Sequence, residues 1–155
     1  VDIKGAVARD LEPYQDALIG LFQYFIGNTD FSIYALHNVE LVRQPAGDYL
    51  PVPYDFDFAG VIDASYATTD PKLPIKRVRD RLFKGYCREG EDYAKAIATF
   101  NDKKNAIYAL YSDSVGKMLR PKIVKETLEY YDEFYKTIND PRRIKREIGE
   151  SCVKT

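Results

Sequence analysis

Two stretches in the second half of the chain repeat apolar residues at helical spacing, and they limit the fold more than any other feature. Over residues 91–111, Tyr93, Ile97, Phe100, Lys104, Ile107, Tyr108 and Tyr111 fall on one stripe, the lysine being its one polar member. Over residues 121–138, Val124, Leu128, Tyr131, Tyr135 and Ile138 share a face. Such stripes must be buried against another element, so at least one further apolar helix is needed. Residues 11–26 supply it. Pro13 suits a first turn, Leu11, Tyr14, Leu18, Leu21, Phe22 and Phe25 recur with helical period, and Gly27-Asn28 is a stop signal. Asp140-Pro141 opens a last helix, with Asp140 as N-cap and Pro141 at the first helical position. Residues 75–86 also read as helix. The tyrosines of the later helices belong to the core stripes and their margins, with hydroxyls at the rim.

Between the first helix and the rest lies a hairpin. Residues 38–43 alternate well enough for a short strand, residues 44–48 contain Pro and Gly and form its loop, and residues 49–54 return. Pro51 and Pro53 mark the returning strand as an edge. Residues 55–60 leave it, with Gly60 permitting an abrupt change of direction. Residues 61–74 are loop-like. The expected architecture is mainly α (α+β), a single helical domain over residues 1–155 with one small β-hairpin.

Composition removes several function classes. Hydrophobic content of 45% with 30% charged residues fits a soluble globular chain, and no apolar run approaches the roughly 18 residues a membrane span needs. Residues 17–26, the longest apolar segment, are interrupted by Gly20 and Gln23. The single histidine, His37, leaves a zinc site few ligands, and a Ser-His-acid triad has no nucleophile-elbow motif. Cys87 and Cys152 form no disulfide framework but allow one bridge. Residues 1–60 carry 3 basic and 9 acidic residues, a net −6, against +5 for residues 61–155. This is not the uniform basicity of a nucleic-acid binder. The dense basic stretch (Lys76, Arg77, Arg79, Arg81, Lys84, Arg88) reads as a solvated helix face, with an acidic or phosphorylated substrate as the alternative. The chain starts at Val with no signal-peptide pattern and reads as trimmed, so its compartment is left open.

The chemistry concentrates in residues 27–60. Asp30 and Asn38 bracket the loop before the first strand, and Asp55 and Asp57 follow the second. Pairing the strands brings their outer ends together, so Asn38 is expected near Asp55. Carboxylates and an amide oxygen suit Mg²⁺, a hard cation that keeps water and phosphate oxygens in its shell. Each member also has a plainer reading. Asp30 suits a turn cap, and Asn38 suits a strand entry. Asp55 and Asp57 alternate to the same side, where unpartnered like charges are costly, and this favours a cation. His37 reads as a packed or loop histidine rather than a base.

The order Asp30, Asn38, strand, hairpin, strand, Tyr54-Asp55-Phe56-Asp57-Phe58-Ala59-Gly60 resembles the C-terminal lobe of the protein-kinase-like fold, and its atypical CotH-like and HipA-like branches most. The resemblance covers about residues 11–115 and implies Asp30 as catalytic base, Asn38 as a metal-binding Asn, and Asp55 or Asp57 as the metal-binding Asp. It further implies Mg²⁺, ATP or another nucleotide, and a hydroxyl-bearing acceptor as partners. The pattern departs from ordinary kinases in three ways. Asp30 and Asn38 are eight positions apart rather than about five. No His-Arg precedes Asp30. Neither a glycine-rich phosphate loop nor a strand lysine with its helix glutamate lies in the 29 residues before it, so a missing N-lobe is expected. A non-catalytic binding module on a degenerate scaffold and a metal-dependent phosphohydrolase using Asp55 and Asp57 are the alternatives.

Overall fold

The computed structural model describes residues 4–155. Its order is α1 (Pro13–Ile26), β1 (Val39–Arg43), β2 (Tyr49–Pro53), α2 (Gly90–Ala109), α3 (Pro121–Ile138) and the short α4 (Pro141–Ile144). The two strands form one antiparallel hairpin, so the fold is mainly α with a small β element, as the periodicity predicts.

Helix α1 is the centre of the molecule. It starts at Pro13 because the Glu12 carboxylate accepts from the Tyr14 and Gln15 amides, at 3.3 and 2.6 Å. It ends at Gly27, whose left-handed backbone (φ 70°) an L side chain resists. Ala17, Leu21, Tyr24 and Phe25 are buried between α2 and α3. Phe25 stacks on Tyr131 with ring centroids 4.2 Å apart and meets Phe134 and Phe100 edge-on or tilted at 4.9 and 5.4 Å. Lys104, the polar member of the α2 stripe, lies over the rings of Tyr135 and Tyr108 at 4.9 and 5.4 Å, so its position on the apolar face is a cation–π contact. α4 starts at Pro141 with the Asp140 carboxylate accepting from the Arg142 and Arg143 amides, as the sequence predicts.

A second, smaller core lies under the hairpin and unites Ala6, Leu11, Phe31, Ile33, Val39, Leu41 and Tyr86.

Residues 75–86 are not a helix. They run as turns and extended chain, and the basic stretch is not a uniformly solvated face. The cause is that its cations serve separate buried acceptors. Arg81 donates to the carbonyls of Tyr24, Phe25 and Tyr130 at 2.7–2.9 Å and lies 3.6 Å above the Tyr130 ring. Lys84 Nζ donates to the carbonyls of Thr29 and Phe31 at 2.6 and 3.2 Å. Arg88 donates to the buried Asp16 carboxylate at 2.6 Å and to the Ala8 carbonyl at 2.6 Å. A helix would present these side chains in register on one surface, whereas an extended chain lets each reach a different element. Burial lowers the pKa of both Arg81 and Lys84. Arg77 does stand in solvent, paired with Asp80.

Cys87 and Cys152 are joined. With a sequence separation of 65, the bridge restricts the unfolded chain by about 4 kcal/mol on the loop-entropy scale. The carboxy-terminal segment continues the tie, with paired bonds of 2.9 Å from the Cys87 amide to the Val153 carbonyl and from the Val153 amide to the Gly85 carbonyl. The Ala8 amide donates to Thr155 Oγ1 at 3.3 Å.

Candidate functional site

The site region grows from the end of α1. Beyond Gly27, the Asn28 side chain is buried, donating to Gln23 Oε1 at 3.0 Å and accepting from the Asp30 amide at 3.0 Å. This local turn fixes the backbone of Asp30 relative to the helix. Ser32 and His37 then exchange two backbone hydrogen bonds of 2.9 Å, closing the intervening residues into a small loop. The closure is why Asp30 and Asn38 touch although eight positions separate them. Asn38 Nδ2 donates to the Asp30 carbonyl at 2.8 Å and to its carboxylate Oδ2 at 3.1 Å. The other carboxylate oxygen, Oδ1, lies 2.8 Å from His37 Nε2.

Strand register delivers the second pair. Val39 is opposite Pro53, and the Tyr54 amide donates to the Asn38 carbonyl at 3.0 Å, so Asn38 and Asp55 leave the same open end of the hairpin. Both adopt left-handed backbone, φ 53° and 55°, which asparagine and aspartate hold more readily than other non-glycine residues. Hydrogen bonding with Asp57 and its negative charge raise the Asp55 pKa, and the Asp30 charge acts in the same direction. Asp57 also raises the Tyr66 hydroxyl, chiefly through its charge. Asp30 and Asn38 thus touch, and Asp55 lies within electrostatic reach of both Asp57 and Asp30.

Close packing holds the exit loop in place. The Gly60 amide donates to the Gly27 carbonyl and the Val61 amide to the Ile26 carbonyl, both at 3.0 Å, so the chain after Asp57 crosses back over the end of α1. The chain does turn at Gly60, with the Ile62 amide donating to the Ala59 carbonyl at 3.0 Å, but it is the close approach that calls for glycine. Its φ is not positive, and a Cβ there would lie 2.7 Å from Tyr130 Oη and against the Val78 carbonyl.

Beside Asp30 opens a cleft of about 530 Å³, lined by Thr29, Asp30, His37, Phe58, Thr69 and Lys84 among others. Lys84 places a cation at its wall. Residue spacing did not single out His37 as a site member. Its titration range is the one signal in the sequence that recommends it for a site. Lys84 belongs to the basic stretch that the sequence marks as a solvated face or a site for an acidic group, whereas nothing in the local pattern marks Tyr66.

Among the described residues, no group of three or more His, Cys, Asp or Glu side chains is arranged to hold a metal ion. The oxygen donors at the hairpin end are two paired aspartates and an asparagine. That is a sparse set, suited to a cation that takes most of its shell from water or phosphate. Comparison with protein-family models, with curated proteins and with solved structures finds no match for this chain.

Proposed function

We propose that the hairpin end is the metal- and phosphate-handling part of an atypical kinase-like phosphotransferase. The observation that supports this reading best is the meeting of Asp30, Asn38, Asp55 and Asp57 at one end of a hairpin, with Asn38 and Asp55 both in left-handed backbone.

In this reading Asp30 is the base. Asn38 and His37 orient its carboxylate beside the cleft, where an acceptor hydroxyl would be positioned and deprotonated. Asn38 spends its amide nitrogen on Asp30, so its oxygen is the atom available to a cation. The Asp55–Asp57 pair fits Mg²⁺ because two crowded carboxylates are relieved by a positive charge. Mg²⁺ would neutralise charge on the phosphates of ATP or another nucleotide. The opposite wall of the nucleotide site would come from a kinase-type N-lobe.

In a longer protein that carries the N-lobe, Asp30→Asn is expected to abolish phosphate transfer while circular dichroism stays that of the parent. Retained transfer would remove Asp30 as the base. Calorimetry with ATP and Mg²⁺ tests the metal half, and Asp55→Asn with Asp57→Asn should eliminate the heat of binding. Phosphate release from a simple ester without nucleotide would favour a phosphohydrolase built on Asp55 and Asp57. No binding and no turnover, by this chain or by a longer one that carries the N-lobe, would leave a non-catalytic module.

A further inference from the structure

Exposed large apolar side chains crowd into the turn between α2 and α3. Leu110, Val115, Met118, Leu119 and Ile123 all stand in solvent, Val115 at 70% and Met118 at 82% exposure. Single exposed apolar residues are ordinary, but five within residues 110–123 are not scatter.

The turn is built rather than loose. The Asp113 carboxylate accepts from the Val115 and Gly116 amides at 2.8 and 2.7 Å, and one-turn 3₁₀ segments flank them at Leu110–Ser112 and Gly116–Met118. Gly116 is buried where a Cβ would strike the backbone of Leu110 and Tyr111, so the chain doubles back tightly and Val115 and Met118 are held outward.

Cations are interleaved with these side chains. Residues 110–125 contain Lys117, Arg120, Lys122 and Lys125 against one acid, Asp113, which the turn itself occupies. Lys122 and Lys125 form exposed ion pairs with Glu126 and Glu129 at 3.7 and 3.8 Å, which leaves Lys117 and Arg120 as the turn's unpaired cations. Among the described residues no ion pair involves Lys117 or Arg120.

We propose that this turn docks on an anionic lipid surface, with Val115, Met118 and Leu119 entering the interface and Lys117 and Arg120 meeting headgroup phosphates. A bilayer offers an apolar phase and a sheet of negative charge together, which is the combination this turn presents. A second copy is disfavoured, because the unpaired Lys117 and Arg120 of one turn would meet those of the other. No helix among the described residues is long and apolar enough to cross a membrane, so the attachment is peripheral and reversible. It is independent of the phosphotransfer reading.

Co-sedimentation of the chain with phosphatidylserine-containing vesicles, against pure phosphatidylcholine vesicles, tests the proposal. Binding should be about tenfold or more stronger on the anionic vesicles and fall as salt screens the charges. The double variants Val115→Asp/Met118→Asp and Lys117→Glu/Arg120→Glu should each lose that preference, with unchanged thermal melts because the side chains are exposed. Equal binding to both vesicle types, or binding by either variant equal to the parent, overturns the proposal. So does a dimer that Val115→Asp/Met118→Asp dissociates while vesicle binding is absent, which would assign the surface to a second copy.

Discussion

The three long helices and the hairpin region are held by different forces. Around α1, α2 and α3 the contacts are aromatic and apolar, with Leu21 and Phe134 wholly buried and Phe25 enclosed by rings. Around the hairpin the apolar core is small, and much of the organisation comes from polar side chains that bind backbone: Asn28 to the Asp30 amide, Lys84 to two carbonyls, Arg88 to Asp16 and Ala8. Apolar packing is tolerant of position and fixes a scaffold. Directed polar contacts fix individual atoms, which a chemical site needs. The contrast also separates what each region risks. A lost ring leaves a cavity, and a lost polar partner leaves an unsatisfied charge.

The largest expected effect breaks the helical side of this contrast. Phe134→Ala should cost about 3–5 kcal/mol of unfolding free energy, read from a denaturant midpoint, because a fully enclosed ring is removed from the centre of the aromatic cluster. If the hairpin region is organised separately by its polar ties, near-native amide protection at residues 39–43 in the surviving folded fraction should accompany the loss.

A smaller effect tests the polar side. Burial pushes the Asp16 carboxyl up to about 6, outweighing the pull of Arg88. The folded state therefore holds this proton more tightly than the unfolded chain does. The contribution of Asp16 to stability is greatest below about pH 4 and declines as pH rises through 6. Asp16→Asn should flatten that part of the pH–stability curve relative to the parent. An unchanged slope between pH 4 and 6 would show that Arg88 keeps the carboxylate fully ionised.

The smallest effect is expected at the site itself. Asp55→Gly removes a left-handed aspartate and its repulsion with Asp57, so the melting temperature should rise slightly while any response to Mg²⁺ falls. A fall in melting temperature would mean that Asp55 is a structural turn residue.

These regions also differ in how far they can be read from residue order. Helix α3 runs over Pro121–Ile138, the residues its apolar stripe marks out, and α2 and the hairpin fall within two residues of expectation. Apolar period and proline position are local signals, and the packing agrees with them. The pairing of Asn38 with the exit of β2 follows from hairpin register in the same way. Residues 75–86 escape this reading, because Arg81, Lys84 and Arg88 are directed by acceptors on α1 and α3 and on the chain before them, which no local window contains. His37 was legible as a loop residue. Its approach to Asp30 depends on the Ser32–His37 closure, and that is a property of the folded loop.

The hydrogen bond between Ala8 and Thr155 has a topological consequence. The entry and exit of the described chain lie side by side, on the edge stapled through Cys87. A unit whose ends meet can be carried as an insertion in a host domain, or have its ends joined and its chain reopened elsewhere, with little stretch imposed on either connection.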